Sequence, residues 1–248
     1  MKRTLIAFTA VIALAATAFA ADNPAIEHFT KSIAFYASFD GKADADMSPG
    51  PGAPTAQWKS EFKPYAPGLF GQALKSGDFD LSYNLGEAGI SRSGAAAIWV
   101  AKMSKREDAG YFWPMRLFGS DRMLMIGRMG DPRNKEALYG YGEIAGAKGD
   151  SATMGGALDW KEGEWHLLVL NIRSDTIEFS VDGQPPRQAS LPKPIALNAE
   201  KKENPERVTI STKRADGDQF LMDEFILFKA PLSPEEINWL YEHGKKPK

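Results

Sequence analysis

The stretch Glu164-Trp165-His166-Leu167-Leu168-Val169-Leu170-Asn171-Ile172 carries apolar side chains on both of its alternating faces. A strand of that kind belongs at the centre of a sheet whose two faces are both covered. Shortly after it, Thr176-Ile177-Glu178-Phe179-Ser180-Val181 puts Ile177, Phe179 and Val181 on one side and runs into Asp182-Gly183. That pair marks a type I′ hairpin turn, whose positive φ angles glycine adopts at little steric cost. Two strands of this character, one buried on both faces, point to a layered β protein.

Working outward, residues 32–39 alternate, with Ile33, Phe35, Ala37 and Phe39 on one face and Asp40-Gly41 as the closing turn. A Pro/Gly-rich stretch follows, with Pro49, Pro51, Pro54, Pro64 and Pro67. It reads as loop, with a short strand around 58–62. Further short strands are predicted at 71–76, 80–85, 95–102, 115–118, 123–128, 138–144, 207–212 and 220–228. Gly149-Asp150-Ser151 reads as a turn, and the charged run 200–206 as a solvated loop. The fold class is therefore all-β: a two-sheet antiparallel jelly-roll sandwich with one short C-terminal helix. That helix is marked by Ser233 as N-cap, Pro234 at N1 and Glu236 at N3, a capping box. Leu232 and Ile237 can staple across it, Ile237, Leu240 and Tyr241 line one face, and Gly244 can end it. It is expected to pack on the sandwich.

The 248 residues contain no cysteine, three histidines and a formal charge of −2, with 43% hydrophobic residues. No cysteine means no disulfide framework, cysteine-held metal, thiol nucleophile or lipobox. A near-neutral charge gives no electrostatic case for nucleic acid. Lys2 and Arg3 precede an apolar run from residue 5 to 20 that ends in Ala18-Phe19-Ala20, the pattern of a signal peptide cleaved before Ala21. The run is short for a bilayer span, and no later stretch is long and apolar enough. The chain divides into a signal peptide, 1–20, and one domain, 21–248. It is expected to be exported, to the periplasm or outside, with no membrane insertion after cleavage.

Five segments in order resemble the laminin-G-like domains of the concanavalin A-like lectin/glucanase superfamily. They are Ala37-Ser38-Phe39-Asp40-Gly41; Gly68-Leu69-Phe70-Gly71-Gln72-Ala73-Leu74; Gly94 through Trp99-Val100; Glu164-Trp165-His166 with Val181-Asp182-Gly183; and Met222-Asp223-Glu224-Phe225 leading to Leu232-Ser233-Pro234-Glu235-Glu236-Ile237 and Tyr241. The resemblance implies a two-sheet jelly roll and leaves function open, since the fold hosts lectins, glycosidases, adhesion modules and hormone-binding domains.

Glucanases of this fold carry Glu-x-Asp-x-x-Glu on one strand, and no such spacing occurs here. There is no Gly-x-Ser-x-Gly elbow, phosphate loop or His-Glu-x-x-His. His166 shares a face with Leu168, Leu170 and Ile172 and reads as a core histidine. Met103, Met115, Met123, Met125 and Met129 could offer thioethers to copper(I), but alternation and gap-filling favour the core for them. Tyr139, Tyr141 and Glu143 share one strand face, and Trp113 lies beside Arg116. Aromatic rings with charged neighbours suit a sugar-stacking platform on the concave sheet, or ordinary sandwich packing. Asp223 is placed by alternation with Leu221, Phe225 and Leu227. A carboxylate there needs a cation, a set of donors or a bulge that turns it outward. The family resemblance implies a structural calcium held by Asp223 and Asp40, aided by Asp44 and Asp46; the alternative is an acid satisfied by N–H groups or a basic side chain. The expected function is a secreted, non-catalytic carbohydrate-binding module with a glycan as partner. The alternative is a structural or adhesive module binding an extracellular protein, and a glycoside hydrolase is the least favoured.

Overall fold

The computed structural model describes residues 23–56, 64–77, 79–102, 112–119, 121–129, 137–155, 160–195, 205–211 and 220–245. The signal segment, the strand expected at 58–62, Met103 and the charged run up to residue 204 lie outside them. Two antiparallel sheets face each other. The eight-stranded sheet contains β1 (Ile33–Ala37), β3 (Tyr65–Pro67), β4 (Gln72–Lys75), β6 (Gly94–Lys102), β11 (Trp165–Ile172), β12 (Thr176–Val181), β13 (Arg187–Ser190) and β15 (Phe220–Phe228). Its order is β13-β12-β11-β6-β15-β4-β3, with β1 also paired to β15. The seven-stranded sheet contains β2 (Thr55–Ala56), β5 (Asp80–Gly86), β7 (Phe112–Phe118), β8 (Arg122–Met129), β9 (Ala137–Ile144), β10 (Ala147–Gly155) and β14 (Glu206–Ser211), in the order β10-β9-β8-β7-β14-β5-β2. This is the sandwich expected from the sequence.

β11, β6 and β15 lie side by side and are buried on both faces. Ala96, Ile98, Val100, Leu168, Leu170, Phe225 and Leu227 face the other sheet in the main core. Ala95, Ala97, Trp99, Leu167, Val169, Ile226 and Phe228 face outward into a second core. Two helices close that second core: α1 (Pro24–Phe29) with Ala25, Ile26 and Phe29, and α2 (Pro234–His243) with Ile237 and Leu240. Small residues at 95 and 97 leave room for this cover, and Gly244 seats the end of α2 on Trp99; a Cβ there would come 2.8 Å from the indole. The capping box of α2 forms as read: Glu236 N donates to Ser233 Oγ at 3.2 Å, and Ser233 N to Glu236 Oε2 at 2.7 Å. His28 of α1 stacks on Trp239 of α2 with centroids 3.8 Å apart.

The Asp182-Gly183 turn has φ of 53° and 71°, as a type I′ turn requires, and Gln184 N donates to Val181 O at 3.0 Å. Three readings are corrected. Residues 149–151 do not turn but run within β10, an edge strand whose polar residues hid its character. A bulge between Ile33 and Phe35 turns Ile33 to the helix side, away from Phe35, Ala37 and Phe39. The short helix α1, capped by Asn23 Oδ1 on Ala25 N at 2.8 Å, was not expected.

Asn171, 1% exposed, joins the sheet to α2: its Nδ2 donates to Leu232 O at 2.8 Å and its Oδ1 accepts from Leu232 N at 2.9 Å. Removing that amide orphans two buried backbone groups, each costing about 1–3 kcal/mol. Asn171→Ala is expected to lower unfolding free energy by about 2–3 kcal/mol in urea titration. A loss below about 0.5 kcal/mol, the size of an ordinary surface change, would contradict this anchoring role.

Candidate functional site

The helices close the outer face of the eight-stranded sheet, while the outer face of the seven-stranded sheet carries no such cover among the described residues. Cross-strand register assembles that face in two rows. One runs Asn84, Arg207, Phe118, Met123, Glu143, Lys148. The next runs Thr55, Ser82, Thr209, Arg116, Met125, Tyr141, Ser151. The intervening residues Tyr83, Leu117, Leu124, Leu138, Ile144 and Val208 point into the main core. Period-two alternation thus separates a polar, aromatic-bearing surface from an apolar interior.

Arg116, Tyr139, Tyr141 and Glu143 do share this face. Tyr141 and Glu143 are half-buried, so the Tyr141 ring has an accessible side. Tyr139 is nearly closed off, 8% exposed, with its hydroxyl 3.9 Å from Met125 Sδ. Arg116 pairs with Asp80 at 3.4 Å. Trp113 lies in β7 opposite Ser211, and its side chain falls outside the description. Met115 is core, but Met123 and Met125 are half-buried on the open face, which corrects their reading as core residues.

An open groove of about 570 Å³ occupies the β2–β5–β14–β7 end of the same face. Thr55, Ser82, Asn84, Phe118, Gly119 and Arg207 line it. The Arg207 guanidinium sits 4.6 Å above the Phe118 ring centroid. The sequence reading missed this groove because β2 has two residues, and Arg207 and Phe118 are separated by a long stretch of chain.

His166 stands apart from this surface. Its Nδ1 lies 2.7 Å from Asp182 Oδ2, its ring stacks on Trp160 at 3.9 Å, and the residue is 7% exposed. Asp182 Oδ1 also accepts from Leu167 N at 2.9 Å, so the pair locks the hairpin. His166 Nε2 is sealed from solvent, which suits a structural ring and not a general base.

Asp223 does not share a face with Phe225 and Leu227. A bulge between Asp223 and Ile226, with Glu224 at φ 52°, reverses the alternation, so those residues enter the main core while Asp223 turns to the other side. There its Oδ2 accepts from Leu69 N at 2.8 Å and Phe70 N at 3.2 Å, and its Oδ1 from Glu224 N at 3.0 Å. Asp40 Oδ1 accepts from Gln72 N at 2.7 Å. The loop 68–72 is thus gripped by both carboxylates, and its glycines make this possible: a Cβ at Gly68 would lie 2.6 Å from Asp223 Oδ2, and one at Gly71 1.9 Å from Asp40 Oδ1. Glu224 Oε2 accepts from Tyr36 OH at 2.8 Å and from Asn23 Nδ2. Donors face these acids where calcium would need further oxygens. Among the described residues no group of three or more His, Asp or Glu is placed to hold a metal. The geometry therefore does not fit a calcium ion on Asp40 and Asp223.

No family model matches the chain, and no curated protein matches it. Solved structures do. The botulinum neurotoxin serotype D binding domain superposes with a TM-score of 0.62 at 10% identity, over 85% of this chain and 51% of that one. The serotype D ligand binding domain in complex with N-acetylneuraminic acid gives 0.62 at 11% identity, over 88% and 52%. The binding domain of botulinum neurotoxin DC in complex with SialylT gives 0.59 at 10% identity, over 87% and 52%. The chain spans about half the length of these structures. At such identities the likeness establishes the β-sandwich fold.

Burial, then repulsion from Glu224, pushes the Asp223 carboxyl up to about 9 against the pull of its N–H donors; burial likewise pushes Glu224 up to about 7. With folded values above unfolded ones, the folded chain holds more protons. Stability from this pair is full below about pH 4 and is lost as pH rises towards 9. Urea unfolding between pH 5 and 9 is expected to show falling stability, by at most about 1.4 kcal/mol per pH unit per proton, and Asp223→Asn should flatten that slope. Melting in excess calcium and in chelator is expected to coincide. A stability that rises with pH across this window would contradict the assignment, and a clear rise in melting temperature with calcium would restore the metal.

Proposed function

We propose that the protein is an exported, non-catalytic carbohydrate-binding module of laminin-G-like type, which holds glycans on the outer face of its seven-stranded sheet. The observation that carries this reading is the asymmetry of the sandwich. One outer face is closed by α1 and α2, while the other presents Tyr141, Arg116, Phe118 and Arg207 among hydroxyl and amide side chains beside a groove of about 570 Å³. Rings that stack on sugar faces, with polar groups fixed beside them to bond hydroxyls, are the usual composition of a saccharide site. Arg116 is held in place by Asp80, so less side-chain freedom is lost when it meets a ligand.

The structural neighbours support the reading from a second direction. They are binding domains, and two of them were solved with N-acetylneuraminic acid and with SialylT. The sequence lacks the carboxylate spacing of the fold's glucanases, and its buried histidine is shut away from the open face. Export rests on the amino-terminal pattern of residues 1–20.

The test is a glycan array probed with the purified protein, followed by titration of the retained glycans into Tyr141→Ala. Retention of at least one glycan class is expected, with affinity about tenfold weaker in the variant, roughly the 1.4 kcal/mol of a lost stacking contact. Its melting temperature should change little, because Tyr141 is not part of either core. An array with no retained glycan, or full affinity in Tyr141→Ala, would overturn the proposal.

A further inference from the structure

We propose that the groove at the β2–β5–β14–β7 end of the open face takes the anionic group of an acidic glycan, and that Arg207 is the residue that recognises it. The inference rests on the glycan-binding reading of the same face and adds the charge class of the ligand and the place where the charge sits.

Arg207 is exposed on β14, and its guanidinium lies over the Phe118 ring, 4.6 Å from the centroid. Among the described residues no carboxylate pairs with it. Two other arginines show what pairing looks like in this fold: Arg116 meets Asp80 at 3.4 Å and Arg173 meets Glu178 at 2.8 Å. Stacking on Phe118 fixes the plane of the Arg207 fork while leaving its N–H groups available in the groove. A planar guanidinium held in this way is suited to a bidentate bond with a carboxylate or sulfate.

The remaining walls agree. Thr55, Ser82 and Asn84 supply hydroxyl and amide groups, and no acidic side chain lines the groove among the described residues. The one acid adjacent in sequence, Glu206, is turned inward and bonded by Ser91 Oγ. At the Gly119 wall a second guanidinium lies directly behind the backbone: a Cβ at 119 would come within 2.5 Å of Arg122 Nε. The Arg122 side chain is 2% exposed, pairs with Asp121 Oδ1 at 3.2 Å and is attracted by buried Glu206, so its charge is balanced on the inner side of the sheet. A guanidinium stacked on one wall, with no acid on the others among the described residues, favours negative charge in the groove. The volume fits a monosaccharide or disaccharide unit and exceeds what a bare anion needs.

The experiment is calorimetric titration of the purified protein with lactose, 3′-sialyllactose, 3′-sulfolactose, trigalacturonic acid and inorganic sulfate at low and high salt. At least one acidic saccharide is expected to bind about tenfold or more tightly than lactose, with the difference shrinking at high salt. Preference for the carboxylated sugars or for the sulfated one identifies the anion and supports the inference in either case. Arg207→Ala, at an exposed position, should remove the difference while leaving the melting temperature unchanged, and Arg207→Lys should keep only part of it. Equal affinity for neutral and acidic sugars, an unaffected Arg207→Ala, or inorganic sulfate binding as tightly as the acidic sugars would overturn the inference and leave the glycan-binding reading standing. Failure of every saccharide to bind would overturn the inference, while the glycan-binding reading falls with an array that retains no glycan.

Discussion

The three central strands of the eight-stranded sheet, β11, β6 and β15, are apolar on both faces, and the rest of the structure follows from covering them. Each face left in water would expose a continuous apolar patch, which soluble domains avoid. The seven-stranded sheet covers one face through Leu117, Ile126, Val208 and their neighbours. α1, α2 and the loop bearing Leu69 and Phe70 cover the other. With both helices committed there, the seven-stranded sheet keeps its far face without a second layer among the described residues. The surface proposed to bind ligand is therefore a consequence of where the helices had to go.

The loop 68–72 shows how that cover is held. Leu69 and Phe70 bring apolar side chains to the second core, but a loop lying against a buried sheet carries backbone N–H groups that need partners. Asp223, within the last strand, and Asp40, just after the first, supply them. The bulge at Glu224 is the local cost, a non-glycine residue at positive φ. In return, neighbouring carboxylates turn away from the main core, one towards the loop and the other towards Asn23 and Tyr36 at the amino-terminal end. One irregularity in β15 thereby ties the loop, Asn23 and Tyr36 to the sheet.

The fold was legible where hydrophobic period and turn chemistry agreed. The doubly apolar run before Ile172, the Asp182-Gly183 turn and the Ser233 capping box each state a local structure with a physical reason, and each forms. Alternation failed where a bulge changed the parity, at Ile33 and between Asp223 and Phe225, because an inserted residue leaves no mark in composition. β10 was missed because an edge strand tolerates Gly149, Asp150 and Ser151, which read as a turn. On the open face, Tyr139, Tyr141 and Glu143 were found to share a side because they lie on one strand. Arg207, Phe118, Asn84 and Thr55 come from four strands, and only the pairing register brings them together.

The central claim is that ligands meet the open face of the seven-stranded sheet and not the helix-covered face. Amide and arginine side-chain chemical-shift mapping, with the tightest glycan from the array added to labelled protein, tests it most directly. The account predicts perturbations confined to β5, β7, β8, β9 and β14, around Tyr141, Arg116, Phe118 and Arg207, with α1 and α2 unchanged. Perturbations centred on α1, α2 or the 68–72 loop would contradict it.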